Sequence, residues 1–370
     1  MFCPSYDQGL CRSCSLIELP YAAQLAQKQQ QMQTLLPAVN WLPPVESASR
    51  GFRNKAKMVV SGTAEQPILG ILQGERAVDL TDCLLYPAPF QEAFAHIQAF
   101  IVLARLQPYE ITNRRGELKY ILLTHSESGG WLLRFVMRSQ HHLAAMRKHL
   151  PTLQQKWPDL AVVTVNIQPE HKAVLEGEQE FVLSEQQMLR QQLNDVPLYL
   201  QPQSFFQTNS VVAARLYQAA RDWTADLAIT QVWDLFCGVG GFALHLAREG
   251  RQVTGIEISA PAIACASRSA AELGVQIEFR ALDAAAFANA AEHSPDLLVV
   301  NPPRRGLGAQ LCSRVMALAP AWLLYSSCNP QTLAQDLQQL AGYQPVQAQL
   351  FDMFAHTEHA EVLVLLRRLG

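Results

Sequence analysis

The sequence predicts an α/β protein whose carboxyl-terminal half is a doubly wound, mostly parallel sheet, preceded by an α+β region. Three observations predict it. From about residue 203, buried apolar stretches alternate with helical stretches of roughly ten to fifteen residues, the pattern of a parallel sheet with crossover helices. Between 52 and about 184 the pattern is mixed: "AKMVVSG", "LKYILLTHS", "WLLRFVMRS", "VVTVNIQP" and "EFVLS" read as strands, with helical stretches at 91–106 and 140–150. Finally, strand after strand in the second half ends in glycine, an acid, asparagine or cysteine, where ligands of such sheets bind.

Taken in order, the chain opens with Cys3, Cys11 and Cys14. "YAAQLAQKQQQMQTLL" (21–36) is an amphipathic helix with a glutamine bias, expected on the surface with a solvated face. "WLPPVESASRGF" (41–52) reads as a linker, centred near 41–50, by its prolines and small polar residues. The division is expected between 1–200 and 201–370. In the second region "SVVAARLYQAARDWTADL" is helical and "QVWDLF" a strand. "GFALHLAREG" is a helix ending on Gly250, "QVTGIEIS" a strand, and "APAIACASRSAAELG" a helix ending on Gly274. The strands "IEFRALD", "DLLVVNPP", "AWLLYSS" and "AEVLVLLRR" complete the sheet.

Composition narrows the function classes. The apolar runs of these 370 residues are strand-sized, so no membrane partner is expected. The start "MFCPSYDQGL" lacks the basic and apolar regions of a secretory signal, so a cytoplasmic protein is expected. A net charge of −3 argues against a generally basic nucleic-acid binder. Residues 1–150, however, hold 15 Lys and Arg against 11 Asp and Glu, and the remainder 14 against 21. A polyanion meets the first region more readily. Eight cysteines in such a chain point to metal or catalysis rather than to disulfides.

The strand ends carry the chemistry. The first strand runs into Phe236-Cys237-Gly238-Val239-Gly240-Gly241, whose glycines let the backbone pass close under a ligand. Glu257 ends the second strand, 19 residues after Gly238, a distance that suits the paired hydroxyls of a ribose. Asp283 ends the third and is placed to contact a base edge; the fourth ends in Asn301-Pro302-Pro303-Arg304-Arg305-Gly306. The set looks like an S-adenosylmethionine methyltransferase. Cys328 stands in "YSSCNP", where a strand hands over to a helix that Asn329 caps and Pro330 starts. A core cysteine is the common reading of such a residue; a helix N-terminus favours a reactive thiolate. Cys3, Cys11, Cys14 and the distant Cys83 supply four thiolates whose spacing suits zinc or an iron–sulfur cluster. Cys237, Cys265 and Cys312 are assigned to packing. In "GFRNKAKMVVSG" (51–62), Arg53, Lys55 and Lys57 alternate with apolar residues, and Arg114, Arg115 and Lys119 extend the basic character. An RNA-facing strand and a solvated basic face account for it equally.

With the 236–241 loop, "NPPRRG", "YSSCNP", "QPQSFFQTN" (201–209) and "HTEHAEVLVLL" on the page, the chain resembles the RNA uracil-5-methyltransferase family over nearly its whole length. The resemblance implies a Rossmann-like S-adenosylmethionine methyltransferase domain behind an α+β region carrying a [4Fe–4S] cluster, without a TRAM domain. It implies methyl transfer to carbon 5 of one uridine, with Cys328 as nucleophile and Glu361 as general base. Gln207, Phe236, Glu257 and Asn301, joined by Asp283, would line the cofactor site. Many members carry Asp at the Asn301 position, and some carry Asn where Gly241 stands. The amino-terminal cysteine triad with Cys83 implies the cluster, in a structural or RNA-positioning role. The expected partner is a 23S ribosomal RNA stem-loop containing uridine 747, with no obligatory protein partner; tRNA uridine 54 and ribosomal uridine 1939 are the alternatives. The competing class is a catalytically idle RNA-binding module, against which intact Cys328 and Glu361 speak.

Overall fold

Two sheets of seven strands each organise the chain, of which the computed structural model describes residues 2–172 and 174–369. The amino-terminal segment supplies α1 (Pro4–Asp7) and α2 (Tyr21–Leu35). Met1–Cys14 and Arg50–Gln191 form one unit, Ser15–Ser49 and Gln192–Gly370 the other. Helix α2, placed with the first region by the sequence, thus folds with the second.

The first unit holds β1 (Lys55–Gly62), β2 (Pro67–Gln73), β3 (Arg76–Asp79), α3 (Pro89–Ala104), β4 (Leu118–Ser126), β5 (Gly130–Met137), α4 (Leu143–Lys156), β6 (Leu160–Ile167) and β7 (Gln179–Val182). Their order in the sheet is β3-β2-β1-β4-β5-β6-β7. Every neighbouring pair is antiparallel except β5 with β6, where α4 makes the crossover a parallel pair requires. Alternation in β1 turns Ala56, Met58 and Val60 into the core and leaves Lys57 exposed. Phe90, Phe94, Ile97 and Phe100 of α3 pack on that face, Phe90 meeting Trp131 edge-on at 4.9 Å.

A hairpin of β8 (Leu189–Leu193) and β9 (Val196–Leu200) leads onward. The second sheet contains β10 (Gln231–Leu235), β11 (Gln252–Glu257), β12 (Ile277–Ala281), β13 (Leu297–Val300), β14 (Trp322–Ser327), β15 (Tyr343–Phe351) and β16 (Glu361–Arg368). They are ordered β12-β11-β10-β13-β14-β16-β15. The first five run parallel, and β16 runs antiparallel between β14 and β15. Helices α5 (Ser210–Trp223), α6 (Gly241–Leu246), α7 (Ala260–Leu273), α8 (Ala284–Ala290), α9 (Gly308–Leu318) and α10 (Pro330–Gln339) complete the unit. Sequence chemistry sets their ends: Asn209, Ser259, Asp283 and Asn329 each accept a backbone N–H as the N-cap. Gly274 closes α7 in the left-handed conformation, φ 74°. The expected doubly wound sheet is present, and its strand order reverses at β10 and β13, the place where such sheets bind ligands.

Strands β2, β3, β8 and β9 and helices α8 and α9 add to the sequence reading, and α6, β15 and α2 bear on the site. Helix α6 ends at Leu246 rather than near Gly250, because Ala247 turns to extended backbone (φ −66°, ψ 128°) while the Arg251 guanidinium takes the Leu246 carbonyl. Strand β15 was not foreseen. Helix α2 keeps its expected solvated face, but the face it buries carries Gln24 and Lys28 beside Leu25 and Met32. Among the described residues no helix is long and apolar enough to cross a membrane.

Candidate active site

The carboxyl ends of β10 and β11 form one rim. Phe236 holds an unusual left-handed backbone, φ 65°, followed by Gly238 and Gly240 at φ 54° and 85°. Both glycines thus sit where side chains are disfavoured, and beyond Gly238 lies open space. The Glu257 carboxylate accepts the Gly238 N–H at 3.2 Å and the Ser259 N–H at 3.0 Å, which ties the loop to the end of β11. Asp234, fully buried in β10, accepts the Ala243 N–H at 3.0 Å and fastens the start of α6. Burial pushes its carboxyl up to about 8, against that hydrogen bond. Gly241 is small for a packing reason: a methyl there would fall 2.5 Å from the Tyr217 ring. Ile258 and Leu282, beside Glu257 and Asp283 in sequence, are 72% and 44% exposed, an outward apolar pair at two strand ends. Asp283 itself is occupied as the cap of α8, receiving the Ala286 N–H at 2.9 Å. Gln207 is buried ahead of α5, and Asn301 is half-buried just past β13.

A second rim forms where β13 and β14 end and β16 begins. Because β16 is antiparallel, its first residue lies beside the last residues of β14: Ser327 pairs with Val362, and Glu361 with Phe351 across the other edge. An acid at the start of a strand thereby reaches the same edge as a cysteine at the end of one. The Ser326 hydroxyl donates to Glu361 Oε1 at 2.5 Å. Glu361 is buried, which pushes its carboxyl up to about 7 although the Ser326 bond opposes the shift.

Cys328 is half-buried one residue past β14. The N-terminus of α10 is built as expected, with Asn329 Oδ1 accepting the Gln331 N–H at 3.2 Å and Pro330 in the first turn. The thiol, however, is shifted upward, not downward. Burial is the larger cause and the Glu361 charge the next; Arg304, which hydrogen-bonds the thiol, pulls the other way. Desolvation therefore outweighs the helix terminus that suggested a ready thiolate.

Arg304 was quoted with its loop but given no role by sequence reasoning. The signal available was a cation following a strand end in "NPPRRG". Its carbonyl accepts from Asn329 Nδ2 at 2.8 Å and Thr332 Oγ1 at 3.2 Å, so the loop and the start of α10 are locked together. Buried Asp336 holds the loop from beneath, accepting from Leu307 N at 2.7 Å, Gly308 N at 3.2 Å and Tyr325 Oη at 2.6 Å. Gly306 (φ 75°) is required there, since a side chain would strike Asp336 Oδ2.

In the other unit Cys3, Cys11, Cys14 and Cys83 act on one another electrostatically. Burial, then Cys83 and Cys11, push the Cys14 thiol up to about 11, while Arg53 draws it down. Among the described residues no group of three or more His, Cys, Asp or Glu side chains is set to hold a metal ion. Cys237, Cys265 and Cys312 are buried. The basic stretch is corrected. Lys119 is buried, donating to Gln168 Oε1 and the Glu170 carbonyl. Arg53 stands among the cysteines, and burial lowers the Lys55 ammonium beside Arg134 and Glu176. Lys57, Arg114 and Arg115 stay exposed.

The profile of the tRNA (uracil-5-)-methyltransferase family matches residues 144–369. The chain is 54% identical over 374 residues to the 23S rRNA (uracil(747)-C(5))-methyltransferase RlmC of Pectobacterium atrosepticum, covering 100% of both chains. It is 54% identical over 372 residues to the enzyme of that name from Escherichia coli, covering 99% of each. Among solved structures, the tRNA (uracil-54, C5)-methyltransferase of Pyrococcus abyssi in complex with S-adenosyl-L-homocysteine superimposes with a TM-score of 0.80 at 26% identity, over 95% of this chain and 85% of that one. With its fold, its strand-end chemistry and its full-length relatives in agreement, the chain belongs to the RNA uracil-5-methyltransferase family.

Proposed function

We propose that this protein transfers the methyl group of S-adenosylmethionine to carbon 5 of uridine 747 in 23S ribosomal RNA, through a covalent bond between Cys328 and the base. The observation that carries the reading is Cys328 and Glu361 meeting at one sheet edge, in a chain whose relatives over the full length bear that activity in their names. Bound S-adenosylmethionine supplies an electrophilic methyl group. Gln207, Phe236, Glu257, Asp283 and Asn301 are the residues we assign to it. The left-handed glycine loop, the organised Glu257 carboxylate and exposed Ile258 and Leu282 fit such a molecule. Asp283 serves by its side of the α8 cap.

Carbon 5 of uracil is a poor nucleophile. The Cys328 thiol gives its proton to solvent, the Arg304 cation stabilises the thiolate left behind, and the sulfur adds to carbon 6. The 5,6 double bond would open into an enolate whose carbon 5 accepts the methyl group, the electron pair of the broken sulfur–methyl bond staying on the donor's sulfur. Glu361 then removes the carbon-5 proton; the electron pair restores the double bond and expels the Cys328 thiolate. Such a base must leave its stack, which costs least in a loop.

We assign Cys3, Cys11, Cys14 and Cys83 to a [4Fe–4S] cluster. The electrostatic reach of Cys83, Cys11 and Cys3 to the Cys14 thiol, beside the Arg53 cation, supports the assignment; ligation requires the four side chains to draw together from where they stand. The cluster orders the amino-terminal arm, and no step of the transfer needs its electrons. Protein purified without oxygen is expected to be brown and to hold iron and sulfide; colourless protein holding zinc overturns this. For the activity, the protein is incubated with labelled S-adenosylmethionine and unmodified 23S fragments or tRNA, and the methyl is mapped. Label at uridine 747 alone is expected. Label at uridine 1939 or tRNA uridine 54 reassigns the substrate, and label on no uridine, with folded protein, sinks the reading.

A further inference from the structure

Tyr21, Gln24 and Lys28 lie three and four residues apart in α2, so they share one face. That face meets residues 352–360, the connection from β15 to Glu361, with two further bonds: the Tyr21 hydroxyl accepts the Ser47 N–H at 2.8 Å and Gln24 Nε2 donates to the Leu19 carbonyl at 2.9 Å. The Tyr21 hydroxyl donates to Asp352 Oδ2 at 2.7 Å. Gln24 Oε1 accepts the His356 N–H at 3.0 Å, and its Nε2 lies 3.1 Å from His356 Nδ1. Lys28 is 1% exposed, and its Nζ donates to Asp352 Oδ1 at 2.6 Å, the Phe354 carbonyl at 3.1 Å and the His359 carbonyl at 3.0 Å. An ammonium has three protons to give. All three go to the connection, at its start, its middle and two residues before Glu361.

This arrangement is a costly way to hold a fold. Taking an ammonium and a carboxylate out of water costs several kcal/mol per ion, and a well-packed apolar pair is often as stable or more so. The ion pair contributes something an apolar pair lacks, namely directed bonds to two carbonyls. Strand pairing fixes Glu361 opposite Phe351 from one side only. The segment entering Glu361 has His356 in the left-handed region (φ 66°), a conformation that persists only under constraint.

We propose that Lys28, with Asp352, is a positioning residue of the transfer reaction. It holds the 352–360 connection so that the Glu361 carboxylate stands at the Ser326–Cys328 edge, and its loss slows removal of the carbon-5 proton rather than thiol addition or methyl transfer. The inference deepens the proposed function and rests on Glu361 acting as the base.

The test is single-turnover methylation of the 23S stem-loop by the full chain, following methyl incorporation and the protein–RNA band that survives denaturation. Glu361→Gln is the reference and is expected to transfer methyl and to retain the covalent band. In Lys28→Met/Asp352→Leu no charge is left unpaired and the volume is filled. It is expected to fold, to incorporate methyl as wild type does, and to release RNA ~10–100-fold more slowly, the scale of an ångström-sized misplacement. Wild-type release in the folded double variant overturns the inference. So does an equal loss of methylation and release, and so does a double variant that does not fold, because the pair then holds the fold and not the base. If Glu361→Gln leaves no covalent band, the general-base reading itself fails and this inference with it.

Discussion

The two seven-stranded sheets spend their buried charge differently. In the first, antiparallel neighbours alternate in direction, so strand ends are shared between two edges. One of its buried cations, Arg134, sits within β5, with Nε and Nη2 on Glu180 and Nη1 on Glu176. In the second, five parallel strands bring every carboxyl end to one edge, and antiparallel β16 adds an amino end to it. Glu257, Arg304, Cys328 and Glu361 stand at that edge. A parallel sheet collects reactive groups at an edge, whereas an antiparallel sheet satisfies them within its layers. Four substitutions or conditions test that difference.

The largest effect belongs to the edge. Cys328→Ala is expected to remove methyl transfer by about 10⁴-fold or more, since loss of the proposed covalent nucleophile would not be made good by neighbours. The same variant should form no adduct with a 5-fluorouridine stem-loop, a substrate whose carbon 5 offers no proton to remove. Its melting temperature should stay near that of wild type, because the half-buried thiol contributes little packing. An adduct in Cys328→Ala would move the nucleophile elsewhere.

The interior of the first sheet should answer in stability instead. Arg134→Met is expected to destabilise by about 3 kcal/mol, the lower end of the cost of leaving a buried partner unpaired. The lower end applies because Asn166 Nδ2 still donates to Glu180 at 2.8 Å and the Glu176 side chain is 50% exposed. Chemical denaturation measures the loss. Transfer per folded molecule should be unchanged, and a loss of transfer exceeding the loss of folded protein would give this sheet a part in the chemistry.

The pH dependence returns to the edge. Glu361 keeps its proton up to about 7, so the basic form is lost as pH falls through that value. Release of methylated RNA in a single turnover should rise with pH to a plateau above about 7, and fall about tenfold per unit below it. The upward shift of Cys328 acts in the same direction on the addition step. Glu361→Gln should flatten the release profile; an unchanged acid limb in that variant would assign the titration to another group.

How much of this was legible in the sequence follows the same division. Strands β13 and β14 are buried on both faces and read as apolar runs, Leu297–Val300 and Trp322–Tyr325. The residues ending them were therefore findable, Cys328 among them. Strand β15 was not, because as the sheet's edge it alternates polar residues and carries Pro345. Helix α2 misled for another reason. Gln24 and Lys28 look solvated until Asp352 and His356 arrive from more than 320 positions away. Lys119 misled in the same manner, its acceptors lying about 50 positions on. Arg304 stood in plain view, but its contact with the thiol depends on the fold.

The smallest effect isolates burial from sheet type. Arg280, on the edge strand β12 of the second sheet, pairs with Glu278 on the same face, Nε at 2.9 Å and Nη2 at 2.6 Å from a single oxygen. The two side chains are 46% and 56% exposed. Both remain hydrated, and holding two long chains in one geometry costs entropy, so such pairs contribute about 0–1 kcal/mol and less at high salt. Arg280→Ala is thus expected to change stability by no more than about 0.5 kcal/mol, with the difference disappearing in 1 M salt. Arg134 and Arg280 are both strand arginines bonded to acids, and the contrast expected to matter most is their access to water. Should Arg280→Ala cost as much as Arg134→Met, access to water would not be what separates the two sheets, and sheet direction would have to carry the whole difference.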